Sequence, residues 1–326
     1  MNEQAEPLPA DNSPPTAHHF SPLSSKYFVD FAHVGGLDEL KQQARMKIIE
    51  PFKNPALFRR FNKSAGGGLL LYGPPGCGKT YFARAIAGEC HAAFFNVSID
   101  DILDMYLGNS EKNIQALFAT ARAHKPAVIF IDEIDALGRK RELLRHTSLT
   151  TTINHFLAEL DGVESDNENL LVIGATNAPW DVDSAFRRPG RFDLTLFVSP
   201  PDATAREYIL RRLLADLPIE ALDYKELAEL SHGFSGADLK GWVDAVSEQV
   251  IAQILRTGQD GTITMAVLRE QIRQCQPSTL EWFESAKQVV EYANHSGVFD
   301  ELARYLDQHP VGKKRRMGFF KQDHIE

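Results

Sequence analysis

Cysteine is scarce in this chain. Cys77, Cys90 and Cys275 form an odd set without metal-ligand spacing, which argues against a disulfide framework and fits a reducing compartment. Long apolar runs are missing as well, because nothing approaches the roughly eighteen residues that a membrane-spanning helix requires. The opening stretch to Phe20 holds no Lys or Arg and no apolar centre, so it lacks the marks of a secretory leader. These absences predict a cytoplasmic protein without a membrane span. Positive charge is in deficit too: 35 Lys and Arg stand against 44 Asp and Glu, a formal net charge of -9. Sequence-independent nucleic-acid binding needs dense cations to displace counterions, so DNA and RNA are disfavoured as partners.

What remains is a chain of 326 residues with 43% hydrophobic content, enough for a main domain and a smaller one. Residues 1–25 are rich in Pro, Ser, Ala and acids and read as a flexible arm. Apolar runs at 69–72, 94–97, 127–131, 170–175 and 194–198 alternate with helix-like segments. That alternation predicts a large α/β domain over 26–200, a parallel sheet covered on both faces with its chemistry at the carboxyl ends of the strands. After Pro201 the strand runs stop, and amphipathic segments predict a small helical domain over 201–276. Ser278 to Glu281 has the pattern of a capping box opening a helical extension over 277–310 that packs onto the core. A basic tail, 311–326, follows with Lys313, Lys314, Arg315 and Arg316.

The strongest signal is Gly73-Pro74-Pro75-Gly76-Cys77-Gly78-Lys79-Thr80 between a buried strand and a helix, a phosphate-binding (Walker A) loop. Such a turn aims backbone N–H groups and the positive helix end at phosphates. Pro75, Gly76, Cys77, Gly78, Lys79, Thr80 and Tyr81 are the expected cradle, with Lys79 as point charge and Thr80 as a magnesium-ligating hydroxyl. Alkylation of Cys77 is expected to block the nucleotide. About fifty residues on, Val128 to Ile131 end in Asp132 and Glu133. Asp132 would hold magnesium through water, and Glu133, facing differently, would polarise the attacking water. Asn177, at the end of the next strand, would approach the same water. Arg187, Arg188 and Arg191 follow within five residues.

With these motifs in place the chain resembles the AAA family, of which the ATPases spastin and katanin are examples, over about Phe31 to Cys275. The match rests on the two Walker motifs, Phe31 to Leu37, Ala175-Thr176-Asn177, the Arg-rich stretch Asp181 to Asp193, and Gly233 to Leu239. The resemblance implies a P-loop AAA+ large domain with a helical lid, ATP and Mg2+ as cofactors, and a homo-oligomeric ring, usually a hexamer, with each nucleotide between neighbours. It implies that Asn177 is the sensor-one residue, that Arg188 and Arg191 are arginine fingers toward the neighbour's γ-phosphate, and that Val34, Gly35, Gly236 and Ala237 clamp the adenine. Tyr106, Leu107 and Gly108 match the pore loop that grips a protein or peptide substrate, with Tyr106 as gripping residue. A second channel loop falls within 138–149. Two departures stand out: His33 where the family often has Asp, expected to be a buried structural histidine, and Thr150-Thr151 where many relatives carry a basic pair. The expected function is a magnesium-dependent ATPase that remodels or threads proteins, served by a possible adaptor protein. The competing expectation is a nucleotide-controlled assembly scaffold without translocation.

Overall fold

The computed structural model describes residues 20–24, 29–103, 108–136, 147–162, 166–294 and 297–309. Its centre is a parallel sheet of five strands in the order β2-β3-β4-β1-β5. The strands are β1 (Gly67–Tyr72), β2 (Ala93–Val97), β3 (Ala127–Ile131), β4 (Leu170–Thr176) and β5 (Leu194–Phe197). Alternation along each strand sorts side chains between two cores, as the period of two requires. Leu69, Leu71, Val128, Phe130 and Ile173 pack with Phe82, Ala83 and Ile86 on one face. Leu70, Ile129, Ile131 and Val172 pack with Leu117, Phe118 and Phe156 on the other. Both faces are dry, which is why these strands read as continuous apolar runs.

The helices of the large α/β layer are α1 (Asp38–Ala44), α2 (Glu50–Lys53), α3 (Pro55–Arg59), α4 (Lys79–Glu89), α5 (Ile99–Ile102), α6 (Asn109–Ala123) and α7 (Thr147–Asp161). Leu23, within the stretch read as a flexible arm, donates its N–H to the Phe94 carbonyl at 2.8 Å, and Phe20 packs against the second core. This part of the arm is therefore held on the sheet.

Beyond β5 come α8 (Ala203–Leu214), α9 (Tyr224–Leu230), α10 (Gly236–Thr257) and α11 (Met265–Ile272), gathered around Leu210, Leu227, Leu239, Trp242 and Leu268. The last helices, α12 (Thr279–Ala293) and α13 (Asp300–Gln308), return to the sheet, where Trp282, Phe283, Phe299 and Leu302 bury Tyr72 and Phe197. The capping box expected at Ser278 does not form, since that residue is already helical and makes no side-chain cap bond. Asp238 intervenes: its Oδ2 accepts from both the N–H and the hydroxyl of Ser278, at 3.2 and 3.0 Å.

Register places the chemistry. Tyr72 is level with Thr176 on one side and Phe197 on the other, and Ile131 is level with Gly174. The residues that follow β1, β3 and β4 therefore emerge side by side at the carboxyl edge, where the strand order reverses.

Candidate nucleotide site

Between β1 and α4 the loop turns on glycines in the left-handed region, Gly76 at φ +72° and Gly78 at φ +86°. At Gly76 space matters as much as dihedral freedom, because a Cβ would stand 2.6 Å from Ala237 Cβ and 2.8 Å from Ser235 Oγ. The Ala237 N–H donates to the Gly76 carbonyl at 3.2 Å. Gly236 and Ala237, expected from sequence at the adenine, are thus brought directly onto the loop.

Lys79 is buried. Its Nζ donates to the carbonyls of Gly73 and Pro74, each at 2.9 Å, and to Asn177 Oδ1 at 2.6 Å. Burial pushes its pKa down to about 8, with Cys77, Asp132 and Asp135 pulling the other way. The adjacent Thr80 hydroxyl donates to Asp132 Oδ2 at 3.2 Å. Strand ends nearly a hundred residues apart in sequence thus converge on one cation and one hydroxyl.

A hydroxyl and a carboxylate oxygen suit a hard cation. Among the described residues no group of three or more His, Cys, Asp and Glu could hold a metal. The site fits magnesium, which binds through one or two protein oxygens and keeps the rest of its shell for phosphate and water.

Glu133 is exposed and its backbone is left-handed, at φ +53°, a region unfavourable for side chains other than Asn and Asp. Three hydrogen bonds hold it: Glu133 N–H to Asp132 Oδ1 at 3.0 Å, Ile134 N–H to the Ala175 carbonyl at 3.0 Å, and Ala136 N–H to the Glu133 carbonyl at 2.8 Å. That twist turns the Glu133 side chain away from the strand's own alternation. Asp135, which no sequence pattern singled out, is buried and accepts from Thr176 Oγ1 at 2.6 Å. Thr176 Oγ1 in turn accepts from Ala178 N–H at 2.9 Å, so the turn carrying Asn177 is pinned from both flanks.

At the entrance, the Tyr81 hydroxyl donates to the His33 carbonyl at 3.4 Å and the Tyr208 hydroxyl to the Ala32 carbonyl at 3.3 Å. A Cβ on Gly35 would meet the Tyr208 ring at 2.9 Å. The segment bearing Val34 and Gly35 is thus stitched to both α4 and α8. His33 is not the buried residue expected: its side chain is 44% exposed and its Nδ1 lies 2.7 Å from Asp30 Oδ1, the two closing a capping box around Phe31–His33. Cys77 is buried, and burial pushes its thiol up to about 12. Scarce thiolate and poor access make Cys77 a slow target for the alkylation that is expected to block the nucleotide.

The two candidate finger arginines differ. Arg191 is held within the chain, its Nε and Nη2 on Asp161 at 2.8–3.1 Å and its Nη1 on the Ala185 carbonyl at 2.8 Å. Arg188 is exposed and lines the same groove as Arg191 and Asp161, with Gln115, Asn154 and His155 and no residue of the phosphate loop.

The family described as "ATPase family associated with various cellular activities (AAA)" matches residues 69–200. The crystal structure of the FIGL-1 AAA domain superposes with a TM-score of 0.70 at 31% identity, covering 89% of this chain and 91% of that one. The chain belongs to the AAA family of ATPases. It is also 39% identical over 264 residues to Cell division control protein 48 homolog C of Arabidopsis thaliana, covering 80% of this chain and 31% of that protein. With Ribosome biogenesis ATPase RIX7 of Saccharomyces cerevisiae it is 40% identical over 220 residues, 66% of this chain and 26% of that protein. The chain spans only about a fifth to a third of the length of the curated relatives it matches.

Of the residues expected to form a pore loop, Tyr106 and Leu107 lie outside the described residues, as do residues 138–146 of the expected second channel loop. Gly108 caps α6 at φ +84°. Three residues on, Glu111 Oε1 accepts from Thr152 Oγ1 at 2.7 Å, joining the helix after the first loop to the helix after the second. Among the described residues no helix is long and apolar enough to cross a membrane.

Two outcomes are expected. Phosphate favours charged Lys79, so nucleotide affinity is flat below the lysine's pKa and weakens above it as the neutral form must first gain a proton. Titrating a fluorescent ATP analogue between pH 7 and 9.5 is expected to show Kd rising above about pH 8, by up to about tenfold per unit. Separately, Glu133→Gly relieves left-handed strain and is expected to raise unfolding stability by up to about 1 kcal/mol while ATP turnover is lost; urea titration and a phosphate-release assay measure the two.

Proposed function

We propose that this AAA module binds ATP at the Lys79 site and hydrolyses it with Glu133 orienting the attacking water, working as a hexameric ring on a protein substrate. The observation that carries the reading is the meeting of Lys79 Nζ with Asn177 Oδ1 beside the Thr80–Asp132 pair. In this reading Lys79 and the loop amides hold the β- and γ-phosphates, and Asn177 sets the water's approach from the end of β4. Magnesium held at Thr80 and Asp132 would neutralise charge on the phosphate oxygens. Val34 and Gly35 with Gly236 and Ala237 enclose the adenine between entrance and lid.

The ring rests on the arginines. The exposure of Arg188, in a groove built without loop residues, supports a role toward another protomer, where a planar guanidinium stabilises transition-state charge. Arg191, committed to Asp161, acts as a brace that holds the segment in shape. Tyr106 with Leu107 is the grip this sequence offers to a polypeptide.

Glu133→Gln is expected to lose turnover by at least about a hundredfold and keep ATP binding. Arg188→Ala is expected to lose turnover while leaving each protomer's nucleotide affinity within about twofold, whereas Arg191→Ala loses turnover and also lowers the melting temperature. Equal hydrolysis by monomeric protein and by Arg188→Ala would remove the neighbour from the mechanism. A tagged unfolded polypeptide separates threading from scaffolding: Tyr106→Ala is expected to hydrolyse ATP and stop moving the chain, and a ring that never moves it supports the scaffold.

A further inference from the structure

Trp282 stands in the first turn of α12, and its indole N–H donates to the main-chain carbonyl of Asn177 at 2.5 Å. The side chain of that same asparagine accepts from Lys79. The indole is buried and fixed by rings: stacked on Phe197 at 6.2 Å, tilted against Trp180 at 5.8 Å and edge-on to Phe283 at 5.2 Å. Trp180 belongs to the same turn as Asn177, so one side chain grips that turn twice, once by its face and once by its N–H.

α12 is itself anchored at its N-terminal end. Thr279 Oγ1 donates to the Gly233 carbonyl at 2.7 Å, and Ser278 donates to Asp238 Oδ2, the carboxylate that also accepts from Ser235 N–H at 2.8 Å beside Gly236 and Ala237. From the far side, Glu301 in α13 accepts from Phe197 N–H at 3.2 Å and from Gln43 Nε2 at 2.8 Å. The donor therefore arrives at Asn177 from a rigid frame. Shape alone does not demand a donor here, because a phenyl ring would serve the stacking contacts.

We propose that Trp282 is a positioning residue for ATP turnover: its N–H fixes the Asn177 peptide, and with it the direction in which the Asn177 amide meets Lys79 and the reacting phosphate. The inference rests on the reading of Asn177 as part of the hydrolytic site. It makes the extension after the lid a working part of the AAA module, acting through a residue in the large domain.

The test uses the full chain with ATP. Trp282→Phe keeps the stacked rings and deletes the donor, and benzothienylalanine at this position keeps the whole bicycle with sulfur in place of N–H. Both are expected to lower kcat about three- to tenfold, the size of one hydrogen bond made in the transition state, with KM within about twofold and the melting temperature kept by the isostere. Added to Asn177→Ala, Trp282→Phe is expected to change the residual turnover no further. Wild-type kcat in the isostere, a rise in KM at constant kcat, or the same fractional loss in the Asn177→Ala background would each overturn the proposal. Full turnover by Asn177→Ala alone would instead overturn the reading beneath it, and the proposal with it.

Discussion

The Lys79 ammonium is taken out of water and given two main-chain carbonyls and an amide oxygen in place of a carboxylate. Neutral oxygens satisfy its donors without cancelling its charge, so the group is lowered in pKa by burial and left with attraction to spare for an anion. Everything around it serves that condition. The sheet order sets β4 beside β1 so that Asn177 can reach it, and the left-handed glycines bend the loop back over it. A carboxylate placed at the same distance would have consumed the charge that a triphosphate needs.

The second requirement is that the acids near this lysine stay at defined places. Asp132 is tied to Thr80, Asp135 to Thr176, and Glu133 is swung outward by its left-handed backbone. Three carboxylates within four positions thus do three separate things, and main-chain geometry distributes them. The lid completes the enclosure by touching Gly76 through Ala237, and the last two helices lock the end of the sheet behind the loop with Tyr72 and Phe197.

The sheet, the phosphate loop and the helical lid were legible in the sequence because each depends on short-range pattern: apolar runs for doubly covered strands, and glycines before Lys79 for a turn only they can make. What was not legible depends on partners far along the chain. Arg191 meets Asp161 thirty residues back, and Trp282 meets Asn177 over a separation of 105; neither residue type at either position announces the contact. Ser278 illustrates the conflict, since a good local capping pattern lost its serine to a carboxylate in the lid. His33 shows the reverse, a polar side chain assigned to the interior that found an acid three residues away and stayed in water.

Gly68, near the start of β1, has no room for a Cβ because the Arg191 carbonyl lies against it. The strand that ends in the phosphate loop therefore begins pressed against the arginine segment, about 13 Å away at strand rise. A sheet strand hydrogen-bonded on both sides does not stretch. Such a strand is a push-rod, tying any shift of the phosphate loop to the position of the arginine segment at its other end.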